Sequence, residues 1–211
     1  PVCDEGYFDL DGDPSDCECH FLSDVDLPGA DDPAFPNDLD VDCDGIDGER
    51  DKAVFVAKQG DDANDGSLEA PKRTIQAGID AAAAQQKRDV YVATGVYSEA
   101  ISLRLDVGVY GGYSADFRVR DAALYESAIL APDPTPSLPG AVNAIDLRGG
   151  ALEATVFDGF TVFGAIVRTP GASSYAIYVR DSDASLRVTA NRLVGGSGGK
   201  GEPGAGGVDG D

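Results

Sequence analysis

The chain has 211 residues, 42% of them hydrophobic, which is enough for one large domain or for a small module beside a medium one. Its net charge of −22 argues against binding to nucleic acid or to an anionic membrane and makes divalent cations its natural partners. No apolar run approaches the length of a membrane span. Residues 1–51 carry 18 acidic residues and one Arg, whereas residues 52–211 carry 20 acidic and 15 basic residues. We therefore divide the chain into an acidic leader, residues 1–51, and a second unit, residues 52–211.

All four cysteines lie in the leader, at Cys3, Cys17, Cys19 and Cys43. An even number of cysteines in a segment with few apolar residues predicts two disulfides and an oxidising, extracellular compartment. Three pairings are possible, and the sequence does not choose between them. The stretch CECH at 17–20 could instead bind zinc, but the chain has one His and this segment is rich in oxygen ligands, so disulfides are favoured. Because the chain starts at Pro1 and has no signal peptide, we expect a processed form or a fragment.

The stretch DLDVDCDGIDGERD, residues 38–51, matches the spacing of a twelve-residue calcium loop. Alternate residues would supply oxygen ligands around a tight turn at Gly45. The predicted ligands are the carboxylates of Asp40, Asp42, Asp44 and Asp51 and the backbone carbonyl of Ile46, with Gly48 acting through a water. An Asp at the twelfth position resembles dockerin-like and thrombospondin type 3-like loops more than sensor EF-hands. The alternative is a solvated acidic linker.

A second candidate calcium site lies earlier in the leader. Asp9, Asp11 and Asp13 repeat the first three ligand positions, but Pro14 replaces the glycine and His20 would occupy the last position. Other acids could complete a site from a distance, although nothing in the sequence fixes them there: Asp24, Asp26, Asp31 and Asp32.

The second unit begins with a short strand pattern, AVFVA at 53–57, and a polar turn region. TIQAGIDAAAAQQ at 74–86 predicts a helix, with Thr74 as N-cap and with Ile75, Gly78, Ile79 and Ala82 on one face. DVYVATGVY and ISLRLDVGVYGGY then alternate apolar and polar residues, as half-buried strands do. Four prolines make 131–141 an excursion loop.

An internal repeat follows in the second unit. The segment starting at Ala144 resembles the segment starting at Ala176, with Arg148 matching Arg180 at an offset of 32, and Asp158 falling opposite Asn191 at an offset of 33. Each segment contains short strands separated by corner residues, which cannot bury a face alone. Stacked on one another they predict a solenoid.

Residues 54–121 resemble the opening of right-handed parallel β-helix proteins of the pectate-lyase-like superfamily. The motifs carrying the resemblance are G-x-D-x-N-x-G-S from Gly60, P…TIQ from Pro71, and V-x-V-x-x-G-x-Y from Val90. The acidic preface resembles the leader of secreted bacterial surface proteins that carry this β-helix. The resemblance implies a mainly β fold: a right-handed parallel β-helix with a short N-terminal capping α-helix, preceded by a small disulfide-bonded, loop-rich calcium-binding segment. The Gly-rich tail at 195–211 would be a flexible or disordered tail or a loop leading into further coils. We expect the natural protein to continue, or another molecule to cover that end.

Enzymes of this superfamily cut polysaccharides, with carboxylate pairs or with calcium and a basic residue. Arg148, Arg180 and Asp158 are therefore candidate glycan contacts, although a turn role for Asp158 and a solvated role for the arginines are strong alternatives. Residues 52–211 contain no His and no Cys, which excludes Ser-His and Cys-His catalysis in this unit. We expect a secreted or cell-surface calcium-binding structural or adhesive protein with no catalytic residues. Further copies of itself in a fibre, or a glycan, are the expected partners. The alternative is a polysaccharide lyase or glycoside hydrolase fragment.

Overall fold

The computed structural model describes residues 3–10, 17, 19–28, 40–149, 154–202 and 204. Its leader elements are β1 Tyr7–Phe8, β2 Cys19–His20 and a 3-10 turn at Arg50–Lys52. The first coils contain β3 Ala53–Val56, α1 Ile75–Gln85, β4 Asp89–Ala93, β5 Gly95–Tyr97, β6 Ile101–Ser102, β7 Gly108–Tyr113 and β8 Ser127–Leu130. The later coils contain β9 Gly140–Ile145, β10 Thr155–Asp158, β11 Phe160–Phe163, β12 Tyr175–Arg180, β13 Leu186–Thr189 and β14 Arg192–Val194.

From β3 onward the strands form three parallel sheets, while β1 and β2 pair antiparallel. The sheet orders are β13-β10-β7-β4-β3, β14-β11-β8-β5 and β12-β9-β6. Since successive coils return to the same three sheets, the molecule is a parallel β-solenoid of about four turns. This confirms the predicted fold class: mainly β, with one short helix and two disulfides in the N-terminal region. Among the described residues no helix is long and apolar enough to cross a membrane.

The solenoid core is built from residues that stack directly above one another. Val54 pairs with Val90, Val90 with Val109, and Val109 with Phe157, all in parallel register. All four side chains are almost fully buried in one hydrophobic cluster. Inward positions on consecutive coils therefore meet like residues.

Helix α1 packs against β3, β4 and β6, as expected of a helix that caps the first coil. The Thr74 side chain accepts a hydrogen bond from Ala77 N, and the predicted face of Ile75, Gly78, Ile79 and Ala82 is the buried one. A Cβ at Gly78 would lie 2.4 Å from Val56 Cγ2, so glycine permits the close approach of helix and strand.

The repeat register inferred from the sequence is wrong. Gly140 pairs with Tyr175 and Ile145 with Arg180, 35 positions later, so Arg148 does not lie opposite Arg180. Asp158 pairs with Thr189 and not with Asn191. The offset changes because the corner between β9 and β10 is longer than the corner between β12 and β13.

Candidate metal centre where the leader meets the solenoid

Two disulfides organise the leader, and they join Cys3 to Cys17 and Cys19 to Cys43. All four cysteine sulfurs are therefore committed, which leaves no thiolate for a zinc ion at CECH. The pairing that sequence alone left open places the β1–β2 hairpin beside the acidic stretch.

The Cys19–Cys43 disulfide brings residues 19–28 against residues 40–48. Next to the disulfide, Leu22 N and Ser23 N both donate hydrogen bonds to Val41 O, at 2.8 and 3.1 Å. Asp40 O lies 3.1 Å from Cys19 Sγ. These contacts set two stretches of the leader, distant in sequence, side by side.

Three carboxylates converge between these stretches. Asp26, Asp40 and Asp42 each offer an oxygen atom, and these oxygens lie within 4.8 Å of one another. Oxygens bound to one calcium ion at about 2.3–2.6 Å are at most about 4.6–5.2 Å apart. The spacing and the all-oxygen donor set therefore fit a hard divalent cation such as calcium.

Asp44 and Asp51, also predicted as ligands from the loop spacing, are not among these three carboxylates, and their role as ligands stays a prediction. The carboxylate of Asp44 accepts hydrogen bonds from Ile46 N at 3.2 Å and Arg50 N at 2.8 Å, which folds the turn. Asp51 is exposed in the 3-10 turn, where its carbonyl accepts a hydrogen bond from Lys87. The Ile46 side chain is fully buried, and the role of its backbone carbonyl as a ligand stays a prediction.

The second predicted calcium site lies only partly in the described chain. Asp9 is exposed just after β1, and Asp11 and Asp13 lie outside the described residues. Sequence reasoning named Asp26 but could not place it. The signal that places it is the Cys19–Cys43 pairing, which the sequence leaves ambiguous.

Burial raises the pKa of four acids at this cluster. The pKa of Asp26 rises to about 8, chiefly through burial and with repulsion from Asp47, Asp42 and Asp40. Burial is also the largest cause for Asp42 and Asp44, and it raises the pKa of each to about 6. The pKa of Asp40 is also raised by burial. A bound cation would oppose all of these shifts, because it stabilises the ionised carboxylates.

The cluster is joined directly to the flank of the solenoid. Gly48 N donates a hydrogen bond to Asp26 Oδ2 at 2.8 Å, and Gly48 lies against the buried Tyr91. The neighbouring Asp47 carbonyl accepts a hydrogen bond from Tyr113 Oη at 2.8 Å. Ile46 packs in one cluster with the aromatic side chains Phe55, Tyr91, Tyr113 and Phe117.

Arg120 links the leader to two coils of the solenoid. Its Nη1 donates to Pro28 O at 3.0 Å, its Nε donates to Gly111 O at 2.8 Å, and its backbone N donates to Asp47 Oδ2 at 3.1 Å. The guanidinium also forms an ion pair with Asp158 that is nearly buried.

The three candidate glycan contacts all have partners within the protein. Asp158 is held by Arg120 and accepts a hydrogen bond from Thr189 Oγ1 at 2.6 Å, so its carboxylate is occupied inside the protein. Arg148 and Arg180 are exposed at a corner and share Asp181, at 3.6 and 3.4 Å. Asp158 is therefore bound to the arginine that links leader and solenoid, and Arg148 and Arg180 form ion pairs at the surface.

The family model described as "Protein of unknown function (DUF1565)" matches residues 58–201. This match covers most of the solenoid and lies outside the leader. Neither the curated proteins nor the solved structures give a significant match to the chain.

Proposed function

The chain belongs to the DUF1565 family, and we propose that it is a secreted or cell-surface structural protein whose leader binds calcium and is thereby fixed to the flank of a β-solenoid. The observation that carries the proposal is the convergence of Asp26, Asp40 and Asp42 at the joint between leader and solenoid. Three buried or half-buried carboxylates that repel one another need a cation or protons.

Calcium suits the donor set better than other common ions. Zinc prefers nitrogen and sulfur ligands, and the cysteines are oxidised. Magnesium demands near-ideal octahedral geometry and keeps most of its water, whereas calcium accepts irregular sites with carboxylates, carbonyls and waters. Carboxylates from two separate stretches of chain form an irregular set of this kind.

The disulfides support an extracellular location. Two disulfides in a short acidic leader are typical of proteins that fold in an oxidising compartment. In that setting calcium is a structural ion, and the solenoid offers an extended surface for a glycan or for further copies of the same chain. We propose a structural or adhesive role on this basis.

Calorimetric titration of the full chain with calcium after chelator treatment tests the proposal, with Asp26→Asn and Asp51→Asn as a matched pair. We expect Asp26→Asn to weaken calcium binding at least tenfold, because it removes a carboxylate from the cluster. Asp51→Asn should change affinity less than threefold, because Asp51 lies outside the cluster. Calcium should also raise Tm, since it binds only the folded site. No binding heat and no change in Tm would refute the proposal.

The alternative function, cleavage of acidic polysaccharides, gains nothing from the placement of Asp158. A catalytic carboxylate must reach substrate, and this one is paired with Arg120 and nearly buried. An assay on polygalacturonate and alginate tests this alternative. Turnover lost in a folded Asp158→Asn variant would favour it over the structural role.

A further inference from the structure

Several apolar side chains of the segment at 19–28 are exposed to solvent. Val25 and Leu27 are 48% and 45% exposed, and they flank Asp26, which is 2% exposed. This segment therefore turns a charged side chain inward and apolar side chains outward. Such a segment gains little from the hydrophobic effect, and its position must come from polar contacts and from the covalent link.

That covalent link is the Cys19–Cys43 disulfide. It crosses 24 positions of sequence, and hydrogen bonds from Leu22 and Ser23 to Val41 lie immediately beside it. Further along the segment, Asp26 accepts from Gly48 N and Pro28 accepts from Arg120. Opening the disulfide would return the loop-closure entropy of this stretch to the chain, leaving a few hydrogen bonds, of which the one from Gly48 N to Asp26 is buried, to oppose release.

We propose that the Cys19–Cys43 disulfide is a redox-sensitive latch that holds residues 19–28 against residues 40–48 and the solenoid. Reduction needs a dithiol, which supplies two electrons and two protons. A thiolate of the dithiol attacks the half-buried Cys43 sulfur and breaks its bond to Cys19, which leaves as a thiolate and is protonated. The second thiol of the reductant then attacks the mixed disulfide. Cys43 is released as a thiol, and the reductant becomes a cyclic disulfide.

The other disulfide provides an internal comparison. Cys3–Cys17 spans 14 positions and joins residues on either side of the β1 strand, whereas the hydrogen bonds to Val41 are made by Leu22 and Ser23, next to Cys19. Residues 52–211 contain no cysteine, so a reductant has no target in the solenoid. Release of residues 19–28 should therefore depend on the Cys19–Cys43 disulfide and not on Cys3–Cys17.

The latch also regulates the proposed cation site, and this part of the inference rests on the proposed function. Asp26 is the one carboxylate of the cluster that comes from the latched segment. Release of the segment removes it and lowers cation affinity. By linkage, a bound cation must disfavour reduction of the disulfide by the same free energy. Calcium would then fix the leader only after the chain has been oxidised.

Hydrogen exchange on the full-length chain tests the latch without any cation. The variants are Cys19→Ser with Cys43→Ser, and Cys3→Ser with Cys17→Ser as the matched control. We expect the amides of Leu22, Ser23 and Gly48 to exchange at least tenfold faster in the first variant and to remain protected in the second. Amides of β4 and β7 should be unchanged in both. Unchanged protection in the first variant, or an equal loss in both variants, would overturn the latch.

A calcium titration of the same two variants tests the link to the cation. We expect calcium affinity to fall at least tenfold in the Cys19→Ser, Cys43→Ser variant and to be retained in the control. If the oxidised wild-type chain binds no calcium, the proposed function fails and the exchange result still decides the latch. If the oxidised chain binds calcium and the first variant binds it equally well, the coupling fails and the proposed function stands.

Discussion

Replacing Gly48 by alanine should destabilise the joint much more than the same change at Gly45. Both glycines adopt left-handed backbone angles, with φ of +98° and +94°. An alanine in such a conformation costs about 1–2 kcal/mol at either position. The surroundings differ, because a Cβ at Gly45 meets nothing within 4 Å, whereas one at Gly48 would lie 2.6 Å from Tyr91 Oη.

Tyr91 has little room to move away from an added methyl group. It is fully buried, stacks on Tyr113 with ring centroids 4.8 Å apart, and meets the edge of Phe55 at 5.7 Å. Overpacking of this kind costs about 1–3 kcal/mol, so we expect a loss of about 2–5 kcal/mol for Gly48→Ala against about 1–2 kcal/mol for Gly45→Ala.

The comparison is made by thermal and urea unfolding of the full chain in chelator, followed by near-ultraviolet circular dichroism of the tyrosines. Chelator removes any effect of the substitutions on cation binding, so that only backbone strain and packing differ between the variants. Equal losses of stability in the two variants would refute the packing of Gly48 on Tyr91. So would a larger loss for Gly45→Ala.

Three further outcomes follow from other parts of the structure. Asp62→Ala should lower the free energy of unfolding by about 1–2 kcal/mol in urea titrations, because the Asp62 carboxylate accepts hydrogen bonds from Thr74 and from Arg73 N at the start of α1. Asp61→Ala is the control, because Asp61 is also exposed but does not contact the start of the helix. Asn143→Ala should cost about 3 kcal/mol by the same measurement, because the buried Asn143 side chain satisfies both backbone groups of Gly140. In chelator, Tm should fall as pH rises from about 4 to about 8. Burial raises the pKa of Asp26 to about 8, so over this range the native state holds a proton that the unfolded state releases. Calcium should reverse the loss of Tm most strongly near pH 8.

Local signals in the sequence were sufficient for local structure. The helix predicted at 74–86 is found at Ile75–Gln85, because the N-cap hydroxyl of Thr74 and the small apolar face act within a few residues. The alternation of apolar and polar residues over 89–113 likewise predicted strands, and β4, β5, β6 and β7 lie within that range. Two disulfides were expected from the number and clustering of the cysteines, and two are present.

The sequence did not predict features that depend on residues far apart in the chain, namely the register between coils and the members of the carboxylate cluster. The repeat register was wrong because corner loops of unequal length shift one coil against the next, while the strand pattern itself looks the same at several offsets. The loop pattern suggested Asp44 and Asp51 beside Asp40 and Asp42, but the third carboxylate of the cluster is Asp26. Its place depends on which cysteines pair, and spacing alone does not determine a pairing.

The flank of the solenoid explains why the acidic leader belongs to it. An outward-facing sheet surface is normally polar, yet Tyr91, Tyr113 and Phe117 are buried there beneath Ile46. Each aromatic side chain buries about 150–250 Å², so this face stabilises the joint by several kcal/mol only while the leader covers it. The leader's own charge opposes that contact, because its acids repel one another. Gly48 connects the two effects, because its N–H donates a hydrogen bond to Asp26 and its backbone lies against Tyr91. An ion that neutralised the cluster would therefore also stabilise the contact between Gly48 and the aromatic side chains.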